Sequence, residues 1–327
     1  MKVWITGAGG MMGSHLAEML LAAGHDVYAT YCRPTIDPSD LQFNGAEVDI
    51  TDWCSVYDSI ATFRPDAVFH LAAQSYPAVS WARPVETLTT NMVGTAIVFE
   101  ALRRVRPHAK IIVAGSSAEY GFVDPSEVPI NERRELRPLH PYGVSKAATD
   151  MLAYQYHKSY GMHTVVARIF NCTGPRKVGD ALSDFVRRCT WLEHHPEQSA
   201  IRVGNLKTKR TIVDVRDLNR ALMLMLDKGE AGADYNVGGS IAYEMGDVLK
   251  QVIAACKRDD IVPEVDPALL RPTDEKIIYG DCSKLAAITG WQQEICLTQT
   301  IADMFDYWRS KSGSSTGSDD TPTVSHC

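Results

Sequence analysis

The chain has 327 residues, of which 45% are hydrophobic and 22% are charged, so it is long enough to bury a core in one large domain or in two closely joined ones. A net charge of −7 argues against general binding to nucleic acid or to an anionic membrane surface. No apolar run approaches the length of a membrane span, and the N-terminus "MKVWITGAGG" reaches glycines too soon for a secretory signal. Eight scattered cysteines without a C-x-x-C pair argue against a zinc cluster and a disulfide framework, so we expect a cytoplasmic protein with no metal site.

Short apolar runs alternate with longer amphipathic segments from residue 2 to about residue 174. The runs "VWIT", "DVYATY", "AVFHLAA", "KIIVAGSS" and "HTVVARIF" are predicted strands, and the segments between them are predicted helices. Such alternation is typical of βαβ units. It predicts an α/β fold in which a doubly wound parallel sheet of the Rossmann type occupies residues 1–174.

The alternation of predicted strands and helices becomes less regular after Pro175. Two further helices and several short strands predict a smaller α+β lobe over residues 175–311, some of whose elements return to the first domain. We expect this lobe to bind the substrate. The last stretch, "SKSGSSTGSDDTPTVSHC", is polar and without periodicity, so residues 312–327 are predicted to form a disordered tail.

A glycine-rich turn connects the first predicted strand to the first predicted helix. Gly7, Gly10 and Gly13 lie in "VWITGAGGMMGSHLAEML" with the spacing G-x-x-G-x-x-G. A dinucleotide-binding fold needs glycine in this turn, because the backbone must approach a pyrophosphate that sits on the helix N-terminus. The strand before it and the helix after it supply the required context, so we predict that the turn binds a dinucleotide together with Met11 and Met12.

The end of the second predicted strand indicates which dinucleotide is bound. An acidic residue there would bond the ribose hydroxyls of NAD, but the sequence has Tyr31 at that place and Arg33 just after it. A guanidinium suits the 2′-phosphate of NADP. We therefore favour NADP(H), with NAD(H) as the alternative.

Tyr142 and Lys146 lie one helical turn apart at the start of the segment "HPYGVSKAATDMLAYQY". By itself this is the spacing of ordinary surface neighbours. Hydride transfer to or from a sugar carbon, however, needs a proton moved on the attached oxygen, and a phenol does this near neutral pH only if its phenolate is stabilised. Lys146 is on the same helical face and supplies the positive charge.

The glycine spacing together with the Tyr-x-x-x-Lys pair resembles the extended, nucleotide-sugar branch of the short-chain dehydrogenase/reductase superfamily. The resemblance runs from Lys2 to about Arg309. It implies that Tyr142 and Lys146 are catalytic together with Ser116, near the end of "KIIVAGSS". It also implies that Tyr142 and Lys146 bind the cofactor, Lys146 by holding its ribose. It also implies that the cofactor lies against residues of the segments "EVDITD", "HLAAQS" and "NMVGT", namely Asp49, Ile50, Leu71, Ala72, Ala73 and Asn91.

The same resemblance implies a nucleotide-diphosphate sugar as substrate and a homodimer formed through helices 84–105 and 141–160. The segments "RIFNCTGPRK", "RVGNLKTKRTIVDVRD" and "LLRPTDEKIIYGD" resemble parts of GDP-sugar enzymes, so GDP is the favoured nucleotide. Arginines suit a diphosphate because each can bind it bidentately. The implied substrate-binding residues are Ser75, Ser80, Ser117, Asn171, Asn205, Arg210, Arg271 and Asp274.

Ala118 bears on which reaction is catalysed. Dehydratases that resemble this chain have a glutamate at this position to take a proton from C5 of the sugar, and a methyl group cannot accept one. Glu119 follows, where we expect strand-like backbone to aim it at the opposite face. Ala118 thus argues against dehydration. The resemblance then implies, as the favoured reaction, NAD(P)H-dependent reduction of the 4-keto group of a nucleotide-linked 4-keto-6-deoxy sugar, with GDP-4-keto-6-deoxy-D-mannose giving GDP-D-rhamnose.

Two other classes of function remain as alternatives. A GDP- or UDP-sugar 4-epimerase, or a GDP-mannose 4,6-dehydratase, would retain its cofactor and return the hydride within each turnover. A cofactor-binding protein without catalysis is also compatible with the fold, since a fold does not determine a function. The presence of Ser116, Tyr142 and Lys146 argues against this last alternative.

Overall fold

Parallel strands form the centre of the molecule. The computed structural model describes residues 1–36, 41, 43–270 and 275–312. The strands are β1 Lys2–Thr6, β2 Asp26–Tyr31, β3 Gly45–Glu47, β4 Ala67–His70, β5 Lys110–Ser116, β6 Thr164–Ile169, β7 Cys172–Thr173, β8 Ala200–Val203, β9 Lys209–Thr211, β10 Val213–Asp214, β11 Asp234–Val237, β12 Ala242–Glu244, β13 Val262–Val265 and β14 Ile277–Ile278. The helices are α1 Met11–Ala22, α2 Trp53–Phe63, α3 Pro77–Ala82, α4 Pro84–Leu88, α5 Gly94–Val105, α6 Pro141–Tyr160, α7 Ala181–Leu192, α8 Val215–Lys228, α9 Met245–Ala255, α10 Ser283–Thr289 and α11 Leu297–Ser312, with a π-helical turn over Thr89–Val93.

Within these described ranges, seven strands form one sheet in the order β11-β6-β5-β4-β1-β2-β3. Every neighbouring pair in it is parallel. All four residues of β4 are buried, as expected for a parallel strand covered on both faces. In β1, Val3 and Ile5 belong to the core on one face and Trp4 to the core on the other, because successive side chains point to opposite faces.

Helices cover both faces of the sheet. Helices α1 and α8 pack Leu16 and Leu222 into the first core. Helices α5 and α6 pack Phe99 and Tyr156 into the second, where the two rings stack with their centroids 4.8 Å apart. This doubly wound α/β architecture confirms the predicted fold class. None of the helices in the described ranges is both long and apolar enough to cross a membrane.

The elements after residue 175 fall into two groups. Helices α8 and α10 and strand β11 join the central sheet and its core. Helices α7, α9 and α11 surround a separate core that contains Phe185, Leu249 and Phe305. The division of the chain at residue 174 remains a prediction. Helix α11 ends at Ser312, and the rest of the predicted tail lies outside the described residues.

Candidate active site

A cavity of about 850 Å³ opens at the carboxyl ends of β1, β4 and β5. Its wall contains the turn after β1, the loops after β2, β4 and β5, and the first turns of α6. In a parallel sheet these loops meet at one edge, so residues far apart in sequence come together there. The predicted catalytic and cofactor-binding residues in the wall are Gly7, Gly10, Met11, Met12, Gly13, Arg33, Asp49, Ile50, Leu71, Ala72, Ala73, Ser116, Tyr142 and Lys146.

The three glycines of the first turn have different steric surroundings. Gly7 has φ +76°, and a Cβ there would lie 2.7 Å from the Ala72 nitrogen. A Cβ on Gly13 would lie 2.4 Å from the Gly7 carbonyl oxygen, so this glycine lets α1 pack on the turn. A Cβ on Gly10 would meet nothing nearer than 3.5 Å. Gly10 is also the N-cap of α1 and brings no side chain to the helix N-terminus, so the site fits the phosphates of a dinucleotide.

The loop after β2 forms the wall on one side of this turn. The backbone nitrogen of Thr35 donates to the carbonyl oxygen of Gly9 at 2.9 Å, which holds the loop against the glycines. Arg33 has φ +49° and an exposed side chain. Its Nη1 lies 3.5 Å from a carboxylate oxygen of Glu86, which belongs to α4 and also lines the cavity. Asp49, across the loop, accepts hydrogen bonds from the backbone and hydroxyl of Thr51 through Oδ1.

A chain of buried hydrogen bonds begins behind the turn and runs through His70. Thr6 accepts hydrogen bonds from two backbone nitrogens after β4, so its own hydroxyl proton goes to Nδ1 of His70, 2.8 Å away. Nε2 of His70 therefore carries the proton and donates to Thr95 at 2.8 Å. Burial lowers the pKa of His70 to about 3, with a smaller contribution from Lys146, so the ring is neutral. His70 fixes the start of the loop that bears Leu71 and Ala72.

Asn91 lies in the π-helical turn and is buried beneath the cavity rather than in its wall. Its Oδ1 accepts from the Gln74 nitrogen at 2.8 Å, and its Nδ2 donates to the Gln74 carbonyl at 3.0 Å and to the Ser145 hydroxyl at 2.8 Å. Ser145 in turn donates to the carbonyl oxygen of Tyr142 at 2.7 Å. Asn91 thus connects the loop after β4 to the first turn of α6.

Ser116, Tyr142 and Lys146 all line the cavity. Helix α6 begins with Pro141 at its first position, and Nδ1 of His140 accepts from the Gly143 nitrogen at 3.1 Å, so the helix start is well defined. Nζ of Lys146 donates to the carbonyl oxygen of Ala114 at 2.7 Å.

The electrostatics of these residues suit a proton donor. Burial raises the pKa of Tyr142 to about 12, and a hydrogen bond with Ser116 opposes this rise, so the phenol is protonated at neutral pH. Burial lowers the pKa of Lys146 to about 8, which still leaves the ammonium form in excess at neutral pH. A substrate oxygen placed between Ser116 and Tyr142 would meet one hydroxyl that bonds it and a second that can give it a proton.

Ala118 lines the cavity, whereas Glu119 does not. The expectation of strand-like backbone at Glu119 is wrong, because residues 117–119 form a 3₁₀ turn. In this turn the Glu119 side chain is fully buried, and its Oε1 accepts a hydrogen bond from the Ser116 nitrogen at 2.5 Å. Glu119 therefore lies behind Ser116, on the side away from the cavity.

The predicted substrate-binding residues fall into three groups. Ser75, Ser117, Asn171 and Arg210 line the cavity. The Nη1 atom of Arg210 donates to the Glu275 carbonyl oxygen at 2.8 Å, which fixes the guanidinium at the wall. Ser80 is buried and donates to the Pro77 carbonyl at 2.7 Å, and Asn205 accepts from the Lys207 nitrogen at 3.0 Å; neither lines the cavity. The two remaining residues, Arg271 and Asp274, lie outside the described residues.

Two cations in the cavity wall were not among the predicted residues. Arg176 donates to Glu18 on α1 at 2.6 Å through Nη2, while its Nη1 is buried and has no hydrogen-bond partner among the residues that the structure describes. Lys177 lines the cavity beside it. The signal was present in the sequence, since both residues end the quoted segment "RIFNCTGPRK". With Arg210 they give the wall three cationic side chains, each also close to a carboxylate: Glu18 for Arg176, Asp180 for Lys177 and Glu275 for Arg210.

The fold and these residues define a nucleotide-sugar enzyme of the extended short-chain dehydrogenase/reductase type, as predicted from the sequence. The chain belongs to the GDP-mannose 4,6 dehydratase family, whose model matches residues 4–304. It is 29% identical over 315 residues to a GDP-6-deoxy-D-mannose reductase of Pseudomonas aeruginosa, covering 95% of this chain and 98% of the relative. It is 30% identical over 342 residues to a GDP-mannose 4,6-dehydratase of Vibrio cholerae, covering 92% and 91%.

Solved structures show the same likeness over nearly the whole chain. The structure of RMD from Pseudomonas aeruginosa complexed with NADPH superposes with a TM-score of 0.84 at 27% identity and covers 95% of this chain and 99% of that one. A Thermus thermophilus UDP-glucose 4-epimerase in complex with NAD gives a TM-score of 0.85 at 31% identity, covering 94% and 99%. Reductases, dehydratases and epimerases therefore all resemble this chain.

The different surroundings of the glycines give a prediction with two separate readouts. We expect Gly13→Ala to lower the melting temperature of the free protein, because its methyl group would press on the backbone of Gly7 and Ala8. At Gly10 there is room for a methyl group, so Gly10→Ala should leave the melting temperature nearly unchanged. The same variant should weaken dinucleotide binding by about tenfold or more, because its methyl group stands where the backbone must approach the pyrophosphate. Thermal unfolding and cofactor titration of both variants check this. Unchanged cofactor affinity in Gly10→Ala would contradict this role of the turn.

Proposed function

We propose that this protein is a nicotinamide-dinucleotide-dependent reductase of the 4-keto group of a nucleotide-linked 4-keto-6-deoxy sugar, with GDP-4-keto-6-deoxy-D-mannose as the substrate and GDP-D-rhamnose as the product. The observation that carries the proposal is the wall around Ser116. It presents the proton donor Tyr142, but it has a methyl group at Ala118, and the neighbouring carboxyl of Glu119 is turned away from the cavity. Reduction needs the donor, whereas dehydration also needs a base at C5.

The roles of the residues follow from their positions. When bound, the nicotinamide supplies the hydride for C4. Ser116 bonds the C4 oxygen and Tyr142 delivers a proton to it, which fits a phenol that is protonated at neutral pH. The phenolate that remains lies one helical turn from the Lys146 ammonium, whose positive charge favours it. Ser117 and Asn171 line the cavity where they can bond the sugar.

We propose a GDP-linked sugar because both curated relatives named above are GDP-sugar enzymes by name. The cations Arg176, Lys177 and Arg210 in the wall support a diphosphate linkage, since charge-assisted hydrogen bonds to phosphate are strong. They do not distinguish one nucleotide base from another.

A 4-epimerase or a 4,6-dehydratase is the second candidate. The 31% identity to a UDP-glucose 4-epimerase and the 30% identity to a GDP-mannose 4,6-dehydratase support it. Both reactions would return the hydride to the sugar and leave the cofactor unchanged after each turnover.

Isotope exchange separates dehydration from reduction. We expect the protein incubated with GDP-mannose and NADP⁺ in D₂O to give no 4-keto-6-deoxy product, and the same protein given GDP-4-keto-6-deoxymannose to oxidise NADPH. Mass spectrometry of the sugar and the loss of NADPH absorbance measure the two outcomes. Formation of a 4-keto-6-deoxy product with deuterium at C5 would refute the reductase and require a base that the wall at Ala118 lacks. Interconversion of C4 epimers without net loss of NADPH would instead establish the epimerase.

We further propose NADP(H) as the cofactor. Strand β2 ends at Tyr31 rather than at an acid, and Arg33 lies in the cavity wall close to the glycine turn. The NADPH complex of RMD from Pseudomonas aeruginosa supports this choice, whereas the NAD complex of the Thermus thermophilus epimerase shows that a similar chain takes the other cofactor.

Arg33 and Glu86 form a matched pair of test positions. Arg33→Ala should weaken NADPH by about tenfold, the scale of a lost hydrogen bond between charged groups, and NADH by much less. Glu86→Gln removes the carboxylate that lies 3.5 Å from the guanidinium, so it should keep or increase the preference for NADPH. Fluorescence titration with both cofactors gives the dissociation constants. Equal losses for NADPH and NADH in Arg33→Ala would mean that Arg33 does not bind the 2′-phosphate.

We also propose a homodimer through helices 84–105 and 141–160. Large apolar side chains on these segments are exposed, among them Val85, Val93, Met151 and Tyr154. A second copy would remove them from water. Sedimentation velocity tests the proposal, and a monomer at micromolar concentration would refute it.

The cytoplasmic location remains a prediction.

A further inference from the structure

Glu119 is a charged residue type buried completely at the back of the active site. Its Oε1 accepts the hydrogen bond from the Ser116 nitrogen, and its Oε2 has no hydrogen-bond partner among the described residues. Room for the carboxyl exists because residue 115 is glycine, where a Cβ would lie 2.8 Å from Oε1. A buried carboxyl with one unpaired oxygen is costly, and a neutral amide would also accept the hydrogen bond from the Ser116 nitrogen, so the turn alone does not require an ionisable side chain.

Charged and titratable groups from every neighbouring element face this carboxyl. Helix α6 contributes Tyr142, Lys146 and Asp150, and strand β6 contributes Arg168. Nε of Arg168 lies 3.6 Å from Oε2 of Glu119 and 2.7 Å from Oδ2 of Asp150.

Two more groups lie further from the Glu119 carboxyl. Tyr120 donates to Asn236, and Asp234 of β11 lies 3.2 Å from Nη1 of Arg168. The cluster of Glu119, Asp150 and Arg168 thus lies directly behind the catalytic residues.

Two members of this cluster, Asp150 and Arg168, line a second cavity of about 230 Å³ together with Asp234. This cavity lies between α6 and β11 and shares no lining residue with the active-site cavity. Burial and the Asp150 carboxylate raise the pKa of Glu119 above its ordinary value, while Arg168 opposes the rise. Glu119 is therefore neutral at low pH and gains its charge as the solution becomes alkaline.

We propose that Glu119 is a positioning residue of this active site: it holds Ser116 from behind, and when it ionises it places a negative charge against Lys146 and Tyr142 that keeps both protonated. The inference about turnover rests on the proposed reductase function; the inference about Lys146 does not. The reasoning is electrostatic, because a carboxylate favours the protonated form of a nearby ammonium and of a nearby phenol. A reductase needs Tyr142 protonated, so Glu119 extends its activity to higher pH.

Glu119→Gln tests this, because the amide keeps an oxygen acceptor for the Ser116 nitrogen and nearly the same volume while the charge is lost. Without the charge, Lys146 and Tyr142 lose their protons at lower pH. NADPH affinity, measured by fluorescence titration between about pH 6 and pH 10, should begin to fall roughly one pH unit lower than in the wild type. The alkaline limb of ketosugar reduction should move in the same direction, so that the loss of turnover is roughly threefold to tenfold larger near pH 9 than near pH 7.

Two further variants make the result decisive. Asp150→Asn removes a carboxylate that raises the pKa of Glu119, so Glu119 ionises at lower pH. The pH profiles of NADPH affinity and of ketosugar reduction should therefore both move to higher pH, opposite to their movement in Glu119→Gln. Glu135→Gln, at an exposed glutamate paired with Arg137, should move neither profile. Asp150→Asn also gives a result if Glu119→Gln does not fold.

The outcomes separate this proposal from the proposed function. Profiles of Glu119→Gln that coincide with the wild type, or that are lowered by the same factor at every pH, would overturn it, since a merely structural role predicts only these. A shifted NADPH profile in a protein that reduces no ketosugar would refute the reductase and still support the role of Glu119.

Discussion

The common direction of the strands is the constraint on which the rest of this structure depends. Parallel strands need a crossover after each one, so the loops that follow β1, β2, β4 and β5 all end at one edge of the sheet. The glycine turn, the loop of Leu71 and Ala72, and Ser116 meet there for this reason alone. The site is therefore built from segments more than 100 residues apart, although no local sequence pattern indicates that these segments meet.

Buried polar side chains then hold these loops in position. His70, Asn91, Ser145 and Lys146 are nearly inaccessible to water, and each makes hydrogen bonds to backbone or side-chain groups of a neighbouring element. A buried polar group that lost its partner would cost about 1–3 kcal/mol, so the network permits few alternative arrangements. The result is a site whose donor and ammonium groups are placed before any substrate arrives.

Much of this could be predicted from the sequence because the signals are local. The G-x-x-G-x-x-G turn and the helical spacing of Tyr142 and Lys146 are short patterns with a direct physical reading, and the alternation of runs predicts the parallel sheet. The 3₁₀ turn after Ser116 was missed, although Ser116 and Glu119 have the S-x-x-E spacing of a capping box, in which the Glu119 carboxyl accepts a hydrogen bond from the Ser116 nitrogen. The contact between Arg176 and Glu18 could not be predicted, because the two residues are 158 positions apart in the chain and only the fold brings them together.

The central claim is that Tyr142 and its neighbours reduce a 4-ketosugar with net consumption of the dinucleotide, and hydride tracing tests it most directly. NADPH carrying deuterium at C4 of the nicotinamide, on the face that is transferred, is mixed with GDP-4-keto-6-deoxymannose and the wild-type protein, and with Tyr142→Phe in parallel. We expect one NADP⁺ for each product molecule, deuterium at C4 of the sugar, and at least about a hundredfold slower formation in Tyr142→Phe, the scale of lost acid catalysis. A product without deuterium at C4, or a wild-type rate in Tyr142→Phe, would contradict the account.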